Sequence, residues 1–167
     1  MPSLEDFIRG KNVSAELIEK GSSQETLKAH ELLRAQGINV EAGQMIKALV
    51  CIPLEGKEYR KDRAVLAMVA GPDKLDLAKL AKAAGCERIM IADPATAESL
   101  SGYPRGGTPP FGHAEKLRII LDATLGKNEV LFGGGGETTK VIRITPQEIR
   151  RIALLEGLGF AEADIRQ

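Results

Sequence analysis

Two places in this 167-residue chain hold residue types that could do chemistry. Residues 102–113 read Gly-Tyr-Pro-Arg-Gly-Gly-Thr-Pro-Pro-Phe-Gly-His and carry four of the 18 glycines and three of the 8 prolines, a density that argues against helix interior or central strand and predicts a shaped loop. Gly106 and Gly107 let a ligand approach main-chain N–H groups closely, while Pro109 and Pro110 stiffen the far side. The second place is Lys47, a cation inside the apolar run Met-Ile-Lys-Ala-Leu-Val-Cys-Ile-Pro-Leu, where its ammonium must reach water or an anionic partner. N–H groups aimed at one oxygen stabilise an oxyanion, so this set could bind an ester or acyl group with water as the nucleophile. His113, at the loop's exit, is either a general base near neutral pH or a cap on the loop.

Other chemistries fail on the residues they need. The run Gly133-Gly134-Gly135-Gly136 is followed by Glu137-Thr138, where a phosphate-binding P-loop needs Lys and then Ser or Thr, and no helical pattern follows for a dinucleotide site; it reads as a flexible hairpin end. His30-Glu31 begins a zinc-protease pattern, but Arg34 stands at the second histidine position. Two isolated histidines and two isolated cysteines make no metal site, and neither a metal nor another cofactor is expected. Lys plus Arg and Asp plus Glu both number 23, so no global field draws in long DNA, although gripping one RNA end needs few phosphate contacts. Cys51 and Cys86 lie in apolar surroundings and read as reduced, buried thiols. The acidic start lacks the apolar run of a signal peptide, and the apolar runs are too short to span a membrane, so a cytoplasmic location is expected.

The elements that must position these residues read as a mixed α/β domain over residues 1–167. Ser3 caps a helix over 4–10, and a strand follows over 13–18. Ser22 and Glu25 form a capping box for a helix over 23–36, with Leu27, Ala29, Leu32 and Leu33 on its apolar face. Strands over 45–54 and 63–70 make a hairpin with an irregular tip, where Lys57, Arg60, Lys61 and Arg63 are either an RNA-contacting patch or a solvated turn. A helix over 73–84 buries Leu75, Leu77, Ala78, Leu80 and Ala81. After a short strand over 88–91, Asp93-Pro94 starts a helix that Gly102 ends, leading into the loop. Strands over 117–121, 129–132 and 140–144 follow, and Thr145-Pro146-Gln147-Glu148 opens a helix over 146–155. The tail after Gly157 reads as an extra turn or a frayed end.

Gly102-Tyr103, the loop GGTPPFGH, the strand IKALV, Asp122 with the following ATLG, and LFGGGGETTKVIRITPQEI together resemble the YbaK/EbsC family, over residues 26–155. That family is related to the editing insertion domain of bacterial prolyl-tRNA synthetase and to free-standing ProX-type deacylases. The resemblance implies a compact α/β domain with a mixed, barrel-like sheet that hydrolyses the ester of mischarged aminoacyl-tRNA without metal or protein nucleophile. It assigns the essential lysine to Lys47. It places a GxxxP loop, whose amides contact the substrate, at Gly106, Gly107, Thr108, Pro109 and Pro110. The partners it implies are the 3′ end of aminoacyl-tRNA and an aminoacyl-tRNA synthetase; the alternative is a non-catalytic module that binds either one. Two positions depart from the pattern: Ala48 stands where several members carry Thr or Asn, and His113 where cysteine-specific members lack histidine. Asp122 is a turn former or a polar wall of the substrate pocket.

Overall fold

Side-chain caps set where the helices begin. In this computed structural model, which describes residues 3–21 and 26–167, Ser3 accepts from the Asp6 N–H at 3.1 Å and opens α1 (Leu4–Gly10). The expected Ser22–Glu25 box and the Leu27 side chain lie outside the described residues, and α2 is described over Thr26–Ala35. α3 (Leu77–Ala84) starts later than expected because Asp76 is its cap, accepting from the Lys79 N–H at 3.0 Å. That phase turns Leu77 and Ala78 to solvent and buries Leu80 and Ala81, which corrects the expected inward face. Asp93 and Thr145 cap α4 (Pro94–Ser101) and α5 (Pro146–Leu155), each with proline in the first turn.

The strands are β1 (Ala15–Glu19), β2 (Ile46–Glu55), β3 (Glu58–Tyr59), β4 (Val65–Ala70), β5 (Arg88–Ile91), β6 (Arg118–Asp122), β7 (Leu131–Gly134), β8 (Lys140–Ile144) and β9 (Phe160–Ala163). β2 and β4 form the expected antiparallel hairpin, with Ile46 opposite Ala70 and Cys51 opposite Val65. β3 and a 3-10 turn over Lys61–Arg63 make its tip. β5 joins β2 antiparallel, β6 lies parallel to β4, and β9 lies parallel to β6. A second sheet, β1-β8-β7, is antiparallel throughout. The fold is mixed α/β as expected, but the sheets do not close into a barrel. Among the described residues they share one bridge, Met45 with Phe132, while β3 and β9 end the larger sheet's path. The tail was expected to be an extra turn or a frayed end, and instead it supplies β9, followed by Ile165, whose N–H donates to Asp122 Oδ1 at 3.0 Å.

β2 is buried on both faces, and this divides the core. Ile46, Val50 and Ile52, with Ala48 packed beside them, face the cluster holding Leu66, Met68, Ile119, Leu121 and α5's Ile149 and Ile152. Leu49 and Cys51 face the opposite cluster of Val65, Ala67, Val69, Leu80 and Ile120 under α3. Cys51 is buried and its thiol is pushed up to about 12 by loss of solvent, whereas Cys86 is only half-buried; both are free. The tip's arginines are self-neutralised: Arg60 pairs with Asp62 at 2.9 Å and Glu55 at 2.7 Å, and Arg63 also pairs with Glu55. No helix among the described residues is long and apolar enough to cross a membrane.

Glu148 does not close a box with Thr145, because its carboxylate is engaged elsewhere. It accepts from Arg151 at 2.6 and 2.8 Å and from the Ser14 N–H at 2.6 Å, tying α5 to the chain entering β1. The Arg151 bonds, with that of Ser14, outweigh burial and hold its carboxyl below the usual 4.5. Its contribution is therefore present above the ordinary carboxylate range and lost as pH falls through the lowered pKa. Glu148→Gln is expected to cost about 2 kcal/mol at neutral pH and to flatten the acid limb of stability, read by urea denaturation at neutral and acidic pH.

Candidate active site

The Gly/Pro loop leaves α4 through a tight turn. The Gly107 N–H donates to the Pro104 carbonyl at 2.9 Å, and Gly106, at φ 83°, occupies the turn position that demands positive φ. Gly107 is buried and both its main-chain groups are used, since its carbonyl accepts from the Gly136 N–H at 2.8 Å. Among the described residues, the Gly106 and Thr108 N–H groups donate to no protein acceptor. Both residues line a cavity of about 290 Å³. Its floor is Ala48, Leu49 and Val50 of β2; Ile91, Ala92, Pro94, Ala97 and Glu98 form one wall, and Tyr103 and Arg105 the other. A small apolar cavity edged by unengaged N–H donors suits an acyl group whose carbonyl oxygen gathers charge.

The glycine run explains how the loop lies so close. Gly134 sits against Gly107 and Thr108, and a Cβ there would come within 2.7 Å of the Gly107 carbonyl carbon. A Cβ on Gly135 would meet the Lys140 carbonyl carbon at 2.6 Å. The run lies at the end of the β7–β8 hairpin, as expected, and is also the bed on which the loop rests. The signal for it was four glycines at a strand's end, a pattern that also marks close backbone approach.

Side chains staple the loop from the other side. Phe111 is 1% exposed and stacks on Phe7 of α1 with ring centroids 5.3 Å apart. The Tyr103 hydroxyl donates to the Gly112 carbonyl at 2.9 Å. The His113 Nε2–H donates to the Pro109 carbonyl at 2.8 Å, which leaves Nδ1 as the bare nitrogen, buried and unpartnered among the described residues. Burial drives the imidazole down to about 4, against the smaller upward pull of Pro109. His113 is thus neutral at physiological pH and committed to the loop's own bonding. Pro109 and Pro110 are buried beneath the loop and do not line the cavity.

Lys47 and Asp122 are not brought to this cavity. Strand alternation puts Lys47 on the face opposite Ala48, and its Nζ donates to the Asp73 carbonyl on the α3 side. Burial lowers its pKa, opposed by Asp73. The expected pairing of Lys47 with the loop across one pocket is therefore not what the geometry shows. Asp122 is 0% exposed and accepts from Ile165, from the Thr124 N–H at 3.0 Å and from the Thr124 hydroxyl, as a turn former does. Sequence reading missed the wall contributed by α4, Ala97 and Glu98 above all.

Comparison with known proteins places this geometry. The pattern of a family described as an aminoacyl-tRNA editing domain matches residues 24–152. The chain belongs to that family. It is 35% identical over 120 residues, 71% of this chain and 70% of the relative, to the multifunctional Ser/Thr-tRNA deacylase ProXp-y of Escherichia coli. It is 28% identical over 145 residues, 87% of this chain and 82% of the relative, to the candidate Cys-tRNA(Pro)/Cys-tRNA(Cys) deacylase EbsC of Enterococcus faecalis. A crystal structure of a candidate trans-editing enzyme for prolyl tRNA synthetase superposes with TM-score 0.71 at 29% identity, covering 92% of this chain and 87% of the other.

Two outcomes test the loop as an editing-domain element. Gly134→Ala must push Gly107 and Thr108 outward, so it is expected to cost several kcal/mol by thermal denaturation and to abolish ligand binding in the cavity. The His113 pKa is depressed in the fold, so the unfolded chain takes up the proton first, and stability is lost as pH falls below 6.5. A loss of about 2 kcal/mol between pH 6.5 and 5 is expected, absent in His113→Gln, measured by denaturant titration.

Proposed function

We propose that this chain is a trans-acting aminoacyl-tRNA deacylase that hydrolyses the ester of a mischarged tRNA. The observation that carries the reading is the pair of unengaged N–H groups, Gly106 and Thr108, at the rim of an apolar cavity in an editing-domain fold. Water adds to the ester carbonyl carbon, and the carbonyl oxygen takes up negative charge against the two N–H groups. The C–O bond to the ribose then breaks, with the proton passing to the ribose oxygen. Each donor of this kind is worth about 3 kcal/mol in other acyl-transfer enzymes. The cavity lining carries no Ser, Cys or His, and water is the nucleophile in this reading. Deacylase names among the relatives support the same class of reaction, and the terminal end of a charged tRNA is the partner.

Lys47 is the residue that the family resemblance gives to substrate anchoring. In that role its ammonium exchanges the Asp73 carbonyl for the tRNA end beyond the cavity. A deacylation panel over many aminoacyl-tRNAs, run on wild type, Lys47→Ala and His113→Ala, tests the whole reading. Wild type is expected to hydrolyse at least one non-cognate pair. Lys47→Ala is expected to lose turnover by about tenfold or more while melting close to wild type. A Lys47→Ala variant that melts early yet keeps its turnover assigns Lys47 to the Asp73 tie alone. Binding of charged tRNA without hydrolysis of any pair replaces the enzyme reading with that of a non-catalytic module.

A further inference from the structure

The cavity's lining carries two charged side chains of opposite sign, Glu98 and Arg105, among mostly apolar residues. Pro94, Ala97 and Glu98 of α4 line the cavity, while Ser101, one turn on, is 1% exposed beneath the loop. Glu98 and Arg105 are both exposed, so their charged ends stand at the cavity's open side. Arg105 stands in the same turn as Gly106, next to a cavity-lining residue whose N–H has no protein acceptor. Among the described residues neither Glu98 nor Arg105 forms an ion pair or accepts or donates a side-chain hydrogen bond, whereas charged side chains elsewhere in the fold, such as Arg60 and Glu148, are paired. An exposed anion and an exposed cation, neither with a protein partner, thus flank one small cavity, beside N–H donors suited to a carbonyl oxygen.

An aminoacyl ester at the end of a tRNA has the complementary charges in that order: an ammonium one carbon from the carbonyl, and a phosphodiester beyond the ribose. Resting on the deacylase reading, we infer that Glu98 binds the α-ammonium of the aminoacyl group and that Arg105 binds the phosphate of the terminal nucleotide. Glu98 is then a specificity-determining residue. It admits esters with a free α-amino group and disfavours those whose nitrogen is an amide, as in N-acylated or peptidyl-tRNA, because an amide offers the carboxylate no charge to pair with. Arg105 sets the distance between the phosphate and the loop donors, and so fixes which carbonyl meets Gly106 and Thr108.

The test uses the aminoacyl-tRNA that wild type hydrolyses best, its N-acetylated counterpart, and the ethyl ester of the same amino acid. Wild type is expected to lose about tenfold or more in kcat/KM on N-acetylation. Glu98→Gln is expected to lower kcat/KM for the free-amino substrate by about tenfold, mainly through KM, and to bring the ratio of free to acetylated substrate near one, with partial rescue in Glu98→Asp. Arg105→Gln is expected to raise KM for charged tRNA more than for the ethyl ester and to reduce the salt dependence of tRNA binding by about one counterion. Equal cleavage of acetylated and free substrate by wild type, or an unchanged ratio in Glu98→Gln, overturns this inference and leaves the deacylase reading standing. Absence of turnover on every ester removes both.

Discussion

One backbone-to-backbone contact holds the site in place: the Gly107 carbonyl accepting from the Gly136 N–H, with Gly134 pressed beneath Gly107 and Thr108. Main chain lies on main chain with no side chain between. The loop's height above the sheet is therefore set by peptide geometry rather than by rotamers. Everything else at the site follows from that placement. The turn from Pro104 to Gly107 leaves the Gly106 N–H without a protein acceptor, the stack of Phe111 on Phe7 closes the back, and the bonds from Tyr103 and His113 tie the loop to itself. Donors held this way need no reorganisation when charge develops on a bound carbonyl.

The second constraint is the double burial of β2. Ala48 belongs to the cavity floor and Lys47 to the α3 face, so neighbouring residues on one strand serve opposite sides of the sheet. This separation divides the tasks. The cavity side carries small, apolar side chains that leave room for an acyl group, whereas the α3 side holds an ammonium against a main-chain carbonyl. A one-residue slip of β2 would exchange the two, which makes the β2–β4 register a determinant of the site as well as of the core.

Much of the fold was legible from local chemistry. Ser3, Asp93 and Thr145 marked helix starts because a cap is a short-range bond between neighbours. The loop itself was legible from the constraints of Gly and Pro. What stayed hidden was non-local. A strand buried on both faces has no polar alternation, so nothing in Ile46-Lys47-Ala48 tells which side each residue takes. β9 pairs in parallel with a strand some forty residues earlier, and Phe-Ala-Glu-Ala is too short and too mildly apolar to announce it. Glu148 looked like the reciprocal half of a capping box, but Ser14 and Arg151 offered it stronger partners. Asp122 looked equally suited to turn and pocket until the Ile165 N–H claimed it.

The bed of glycines also bears on how such a domain could diversify. Because the proposed donors belong to the main chain and rest on residues without side chains, substitution has little means of adjusting them by degrees; a change there displaces the loop or does nothing. The walls are different. Ala48, Ala97 and Glu98 present side chains to the cavity from β2 and α4, elements that do not carry the donors. Mutation can therefore reshape what enters the cavity while the proposed donors stay fixed, so that one backbone arrangement is open to many ligand preferences.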